Sequence, residues 1–487
     1  MFSLSTAKKA GTILFSNVIT TTGQALLLIG LARWMDKELL GEVFKVFLIY
    51  KTAILLGNLG FNDNPYYFIP KLQTRQYGKF FLQSVWILLL AGLATGVLAA
   101  LAFQFYVGRL WISLIFIPII TIELASSMTP DFLIAVGRVR ESSVFNVFFS
   151  VLYVVMALAA CLTGNDPIAR LTYAILLYGV LRAVATALLM YSYRSSSEAL
   201  PTGMLRQQLD FGIPLGLSTI NYRINKQVDN YVVAGFFNSV TFAEYTVGSW
   251  EIPMLLKIPY SITTAYLTKY AAWFDQRNLV ELHKKWLAVS EKIILILIPV
   301  ASFFLIFAQE VIHGLFGSRY QEAVVVFQIF TLTLFTRVSS YTGLLKSMGD
   351  TKYVMQNSFQ LLALNLVFTL AGVQLLGLYG APIGTLTANL VTLVFALKRL
   401  GKHLNQPISR LLPYAFHLKV SLLSLTLAGA LKYAAMFSYT EEWLTLAISV
   451  PLYLTLFVVT GSWFQLIGKD DREYILSIFK SRRARHA

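Results

Sequence analysis

Three charged side chains fall inside one apolar stretch of the chain, Arg223, Lys226 and Asp229 within residues 211–237. A charge at the centre of a lipid-embedded helix costs about 2.5–3.5 kcal/mol by insertion scales, so such residues face a cavity or a partner. At 100° per residue, Arg223, Lys226, Gln227 and Asn230 share one helix face, with Asp229 at its edge. A guanidinium offers a planar fork that matches anion oxygens, and Lys adds a point charge. Lys226 and Asp229, three residues apart, either neutralise each other or line a cleft. Arg223 has no local partner of opposite charge, and the cleft is the better reading for it.

Other candidates lie elsewhere in the apolar segments. Asn17, Thr20, Thr21 and Gln24 form an uncharged polar face in the first of them. Lys51 and Lys257 either face a cleft or snorkel to an interface on their long stems. Arg182 and Arg337 could pair with Glu123, Asp131 or Glu251 to hold helices together, and a structural role is preferred for those three acids over ion coupling. The five histidines are scattered, and Cys161 is the single cysteine, which leaves no internal disulfide and no metal-ligand spacing. No cofactor is implied.

Composition sets the solvent for these residues. Of 487 residues, 56% are hydrophobic and 13% charged, with a mean hydropathy of +0.64. A soluble domain carries about a quarter charged residues, so the bilayer is the environment that fits. The net charge of +16 would suggest nucleic acid in a soluble protein. Here Lys and Arg concentrate between apolar segments, so topology accounts for them and no nucleic-acid partner is expected.

A spanning helix needs roughly 20 mostly apolar residues. That rule predicts about fourteen spans: 10–33, 39–61, 80–105, 111–135, 143–163, 169–192, 211–237, 242–267, 286–308, 322–346, 354–376, 380–399, 413–436 and 443–467. Lys8 and Lys9 precede the first, which lacks a cleavage site and reads as a membrane helix. Basic residues cluster in alternate connections, among them Lys71, Arg75 and Lys79, then Lys284 and Lys285, then Lys402 and Arg410, then Arg482, Arg483 and Arg485. The positive-inside rule therefore places both termini in the cytoplasm.

Segments about 200 residues apart resemble each other. LIAVGRVRE (133–141) matches LLKSMGDTKY (344–353), and the first and seventh spans align with Thr21 on Arg223, Gly41 on Ala243 and Glu42 on Glu244. The expected organisation is an N-terminal six-helix lobe over 1–193, a C-terminal six-helix lobe over 205–400, an additional helix pair over 413–467 and a basic tail over 468–487. An even number of spans in each lobe relates the lobes by an axis along the membrane normal, an arrangement of rocking transporters. The fold class is all-α and polytopic.

Several stretches resemble Wzx-type polysaccharide flippases of the MOP exporter superfamily. They are LDFGIPLGLSTINYRINKQVDNYVVAGFFNSVTFAEYTVG (209–248), FAQEVIHGLFGSRYQEA (307–323), GLLKSMGDTKYVMQNSFQLLALNL (343–366), and WMDKELLGEVFKVF (34–47) with GNLGFNDNPYYFIP (57–70). The resemblance implies a MATE-like two-lobe fold and translocation of an undecaprenyl-pyrophosphate-linked oligosaccharide across a bacterial inner membrane. It also implies a cationic cleft for the pyrophosphate, with partners among membrane lipids, the polysaccharide polymerase and other assembly proteins. Lys51 and Lys257 occupy spans where lipid II flippases, members of the same superfamily, carry cationic cavity residues.

Three alternatives compete with this reading. A MATE-like cation-coupled exporter usually has its coupling carboxylate in the first lobe, and the first span here has no acid. A lipid II flippase carries basic residues in that span, which are also missing. A polysaccharide polymerase or ligase needs a sizeable outer loop, and the outer connections are short. With no GxxxxGK[ST] stretch, the chain by itself is not an ATP-driven pump.

Overall fold

The computed structural model describes residues 4–193, 198–252, 255, 257–264, 266–436 and 441–468, which leaves most of the basic tail outside the described residues. All regular structure in it is helical. Contacts group the chain into two units, 1–246 and 247–487.

The first unit comprises α1 (Leu4–Trp34), α2 (Lys37–Asn58), α3 (Asn64–Phe68), α4 (Tyr77–Val107), α5 (Leu110–Ser127), α6 (Thr129–Ala135), α7 (Val139–Leu162), α8 (Pro167–Tyr191), α9 (Met204–Asn225), α10 (Val228–Phe236) and most of α11 (Ser239–Gly248). The second contains α12 (Lys257–Thr264), α13 (Leu267–Asp275), α14 (Leu279–Ile306), α15 (Ala308–Phe316), α16 (Gln321–Leu332), α17 (Tyr341–Ser347), α18 (Thr351–Leu376), α19 (Gly380–Leu404), α20 (Ile408–Leu411), α21 (Tyr414–Ala435) and α22 (Glu442–Trp463).

Ten stretches among the described residues are long and apolar enough to cross a membrane. One of them, Thr351–Leu404, contains both α18 and α19. The outward faces confirm the solvent. Leu82, Trp86, Leu90, Leu93, Val97, Leu101 and Phe105 recur every three or four residues along α4, each at least 42% exposed. An apolar stripe of that length is stable against lipid and not against water.

Four of the expected spans are interrupted. The seventh breaks at Lys226–Gln227, between α9 and α10, where Asn221, Asn225 and their neighbours form a polar run that offers the backbone competing hydrogen bonds. The eighth stops at Gly248, and Ile252 stays non-helical ahead of Pro253, as expected for a residue before proline. The tenth gives way to a 3₁₀ turn at Thr333–Thr336. There the Thr333 and Thr336 hydroxyls donate to the Phe330 and Thr333 carbonyls at 2.6 and 2.7 Å. A smaller break at Met128 separates α5 from α6.

The repeat is visible at backbone level. Gly137 and Gly349 both adopt positive φ, +87° and +79°, which Gly does without a Cβ penalty. Each amide donates to the carbonyl three residues back, Ile134 and Lys346 respectively. Each following amide reaches five back, Arg138 to Leu133 and Asp350 to Leu345. These are the paired bonds of a Schellman helix stop.

In the second unit α14 is the central helix. Trp286, with Tyr270, Leu344, Leu345, Leu400 and Leu411, ties it to α13, α17, α19 and α20. Ile294 and Ile298 pack on Val420 of α21 and Phe457 of α22. The C-terminal pair therefore shares this core, and the Tyr453 hydroxyl lies 2.9 Å from the Pro299 carbonyl.

Candidate functional site

Arg223 lies in the last turn of α9, exposed, and forms no ion pair among the described residues. Lys226, half-buried, caps α9, and Gln227 starts α10 with its amide bonded to the Ile224 carbonyl at 2.8 Å. The continuous helical face expected for Arg223, Lys226, Gln227 and Asn230 is thus divided by the break. Gln227 and Asn230 remain together, the Asn230 amide donating to the Gln227 side-chain oxygen at 3.3 Å. Asp229 turns inward and is 4% exposed. One of its carboxylate oxygens accepts from the Tyr245 hydroxyl at 2.8 Å and the other from the Asn230 backbone N–H at 2.9 Å. The break places two basic residues, Arg223 and Lys226, just ahead of α10 in the chain, and a helix N-terminus carries partial positive charge. Such a broken helix is a recurrent anion-site device in transporters.

The other candidates have varied surroundings. On α1 the Thr21 hydroxyl donates to the Asn17 carbonyl at 2.8 Å and Thr20 to Ser16 at 3.0 Å, while Asn17 and Gln24 stay exposed. Lys51 is exposed on α2, its ammonium 5.9 Å from the centre of the Phe47 ring. Lys257 begins α12, and its side chain lies outside the described residues. Glu251 is exposed between α11 and α12. Arg182 is paired with Glu123, both nearly buried, beside the ring cluster of Tyr50, Tyr153 and Tyr178. Asp131 accepts from the Tyr66 hydroxyl at 2.8 Å. Arg337 is half-buried after the Thr333–Thr336 turn and forms no ion pair among the described residues.

One polar cluster of the first unit was not anticipated. Where α2 and α11 begin, Lys37 pairs with Glu244, and the Ser239 hydroxyl is bonded to Glu42. Lys45 reaches Glu42 at 3.0 Å and Ser239 at 3.1 Å. Gly41 sits so close to the Ser239 carbonyl that any Cβ would overlap it. The signal available in the sequence was the alignment of Glu42 with Glu244. A second contact joins the start of α9 to α3 and α4. The Gln208 side chain accepts from the Ser84 hydroxyl at 2.8 Å and donates to Gln83 at 3.1 Å, and Asn64 reaches the Gln208 carbonyl at 3.4 Å.

The fold recurs in solved transporters. The chain superimposes on the lipid II flippase MurJ in an inward closed conformation with a TM-score of 0.69, at 15% identity, covering 94% of this chain and 98% of that one. An inward-facing multidrug resistance MATE family transporter of the MOP superfamily gives 0.59 at 17% identity, covering 79% and 95%. No curated protein sequence matches significantly. The molecule is a multi-pass helical membrane protein with the fold of these transporters. The profile of the polysaccharide biosynthesis protein family matches residues 30–325, more than half of the chain, and the chain belongs to that family.

Proposed function

We propose that this protein flips a polyprenyl-pyrophosphate-linked oligosaccharide across the bacterial inner membrane by alternating access. Membership of the polysaccharide biosynthesis family supports the substrate class. The observation that carries the reading is Arg223, exposed and without an ion-pair partner among the described residues, at the end of a broken membrane helix. Its fork would engage the pyrophosphate, with Lys226, Lys51 and Lys257 adding positive charge. The prenyl tail would stay in lipid while the sugar crosses in water. In this reading lobes 1–193 and 205–400 rock about the site, both termini are cytoplasmic, and the Lys37–Glu244 contact closes the outer face.

The test is glycan export in a flippase-null strain, with membrane protein levels measured in parallel. Arg223→Gln should lower export by on the order of tenfold to a hundredfold, the value of one or two charge-assisted hydrogen bonds. Arg223→Lys should recover part of it, because charge returns without the fork. Export by Arg223→Gln at the wild-type rate removes Arg223 from the site.

A further inference from the structure

Between α18 and α19, within the second unit, lies a cavity of about 320 Å³ lined by Tyr353, Gln360, Phe395, Lys398, Arg399 and Lys402. Its residues are graded by depth. Helix α18 begins, and α19 ends, at one face of the pair, at Thr351 and Leu404 respectively. Tyr353 and Lys402 therefore stand near that face, while Gln360 and Phe395 lie about 10 Å further in, at 1.5 Å per residue.

The charges are unbalanced. Asp350 accepts from Arg399 at 2.5 Å and from His403 at 2.7 Å, and Arg399 also stands 5.3 Å from the centre of the Tyr353 ring. The Arg399 hydrogen bond, reinforced by His403, holds the Asp350 carboxyl down at about 2. That carboxylate is thus committed to Arg399 and His403. Lys398 and Lys402, both exposed and one turn apart, form no ion pair among the described residues. Like charges four residues apart repel unless an anion is shared between them. A basic mouth over an apolar floor, with an aromatic ring at the interface, is the chemistry of lipid headgroup binding.

We infer that this cavity binds an anionic phospholipid, its phosphate held by Lys398 and Lys402 beside Arg399 and an acyl chain laid past Gln360 onto Phe395. The inference does not depend on the transported substrate, and its test measures binding and not export.

The full chain, purified in detergent, is titrated by native mass spectrometry with phosphatidylglycerol, phosphatidylcholine or inorganic pyrophosphate. Phosphatidylglycerol should bind saturably and phosphatidylcholine should not. The double variant Lys398→Gln/Lys402→Gln should bind it more weakly, on the order of tenfold, from the contribution of each cation near an anionic surface. Both lysines are exposed, so the variant should melt with the wild type, and Arg399 is left in place because Asp350 depends on it. Equal binding of the two lipids, or unchanged binding by a folded double variant, overturns the proposal. So does displacement of phosphatidylglycerol by pyrophosphate at equal concentration, which would make this a site for soluble anions.

Discussion

Asp229 shows how burial decides a residue's part. Its carboxylate is 4% exposed and bonded to the Tyr245 hydroxyl and the Asn230 backbone N–H. One of the two acceptors survives when the side chain becomes an amide, whose oxygen still accepts from Tyr245. Asp229→Asn should therefore keep near-normal export and lower the melting temperature by only a few degrees. Asp229→Leu removes both carboxylate acceptors from the interior and should cost about 1–3 kcal/mol, the range for a buried hydrogen bond lost on one side. Thermal melting of the purified variants decides it. Equal stability of the Asn and Leu forms would show that the Tyr245 bond holds nothing. The sequence identified these residues as charges inside apolar spans, because hydropathy exposes any charge in hydrocarbon. It left open which way each one points. The expected single face assumed one unbroken helix, and the turn at Lys226–Gln227 rotates Asp229 away from Arg223.

At the scale of elements, the long helices α4, α7 and α18 were legible to within a few residues, because each carries an apolar stretch long enough for the bilayer's thickness. The Gly137 and Gly349 stops were legible as a repeat, since a positive φ selects glycine strongly. Breaks in the seventh, eighth and tenth spans were not, because hydropathy averages over a turn in which the backbone bonds locally. The contact between α2 and α11 was hidden for another reason, since it depends on which helices meet. It can be tested by charge reversal. Lys37→Glu places two acids together where Lys37 and Glu244 now pair, and it should shift the conformational balance enough to lower export roughly tenfold, equivalent to about 1.4 kcal/mol. Lys37→Glu combined with Glu244→Lys restores opposite charges and should recover most of the export. A double variant as impaired as the single one would mean that the pair does not govern the gate.

For the whole molecule the remaining question is orientation, and charge supplies the argument. Arg75, Lys79, Lys284, Lys285, Lys402 and Arg410 all fall in connections that the span count assigns to one side. The connection at 163–166 on the opposite side carries no base, and Asp166 there pairs with Arg109 at 2.7 Å. That pairing helps hold the Asp166 carboxyl below its ordinary value, so the pair stays charged at neutral pH. Lys and Arg resist translocation, so the base-rich side should be cytoplasmic. Cys161 is the chain's single thiol, buried at 4% exposure near the end of α7, and Cys161→Ala should leave expression and export unchanged. In that background Asn165→Cys and Lys284→Cys, both at exposed positions, report one side each. A membrane-impermeant maleimide added to intact spheroplasts should label Asn165→Cys fully and Lys284→Cys only after the membrane is opened. The reverse pattern would invert every span. It would move Lys37–Glu244 to the cytoplasmic face and place the Lys398–Lys402 cavity in the outer leaflet.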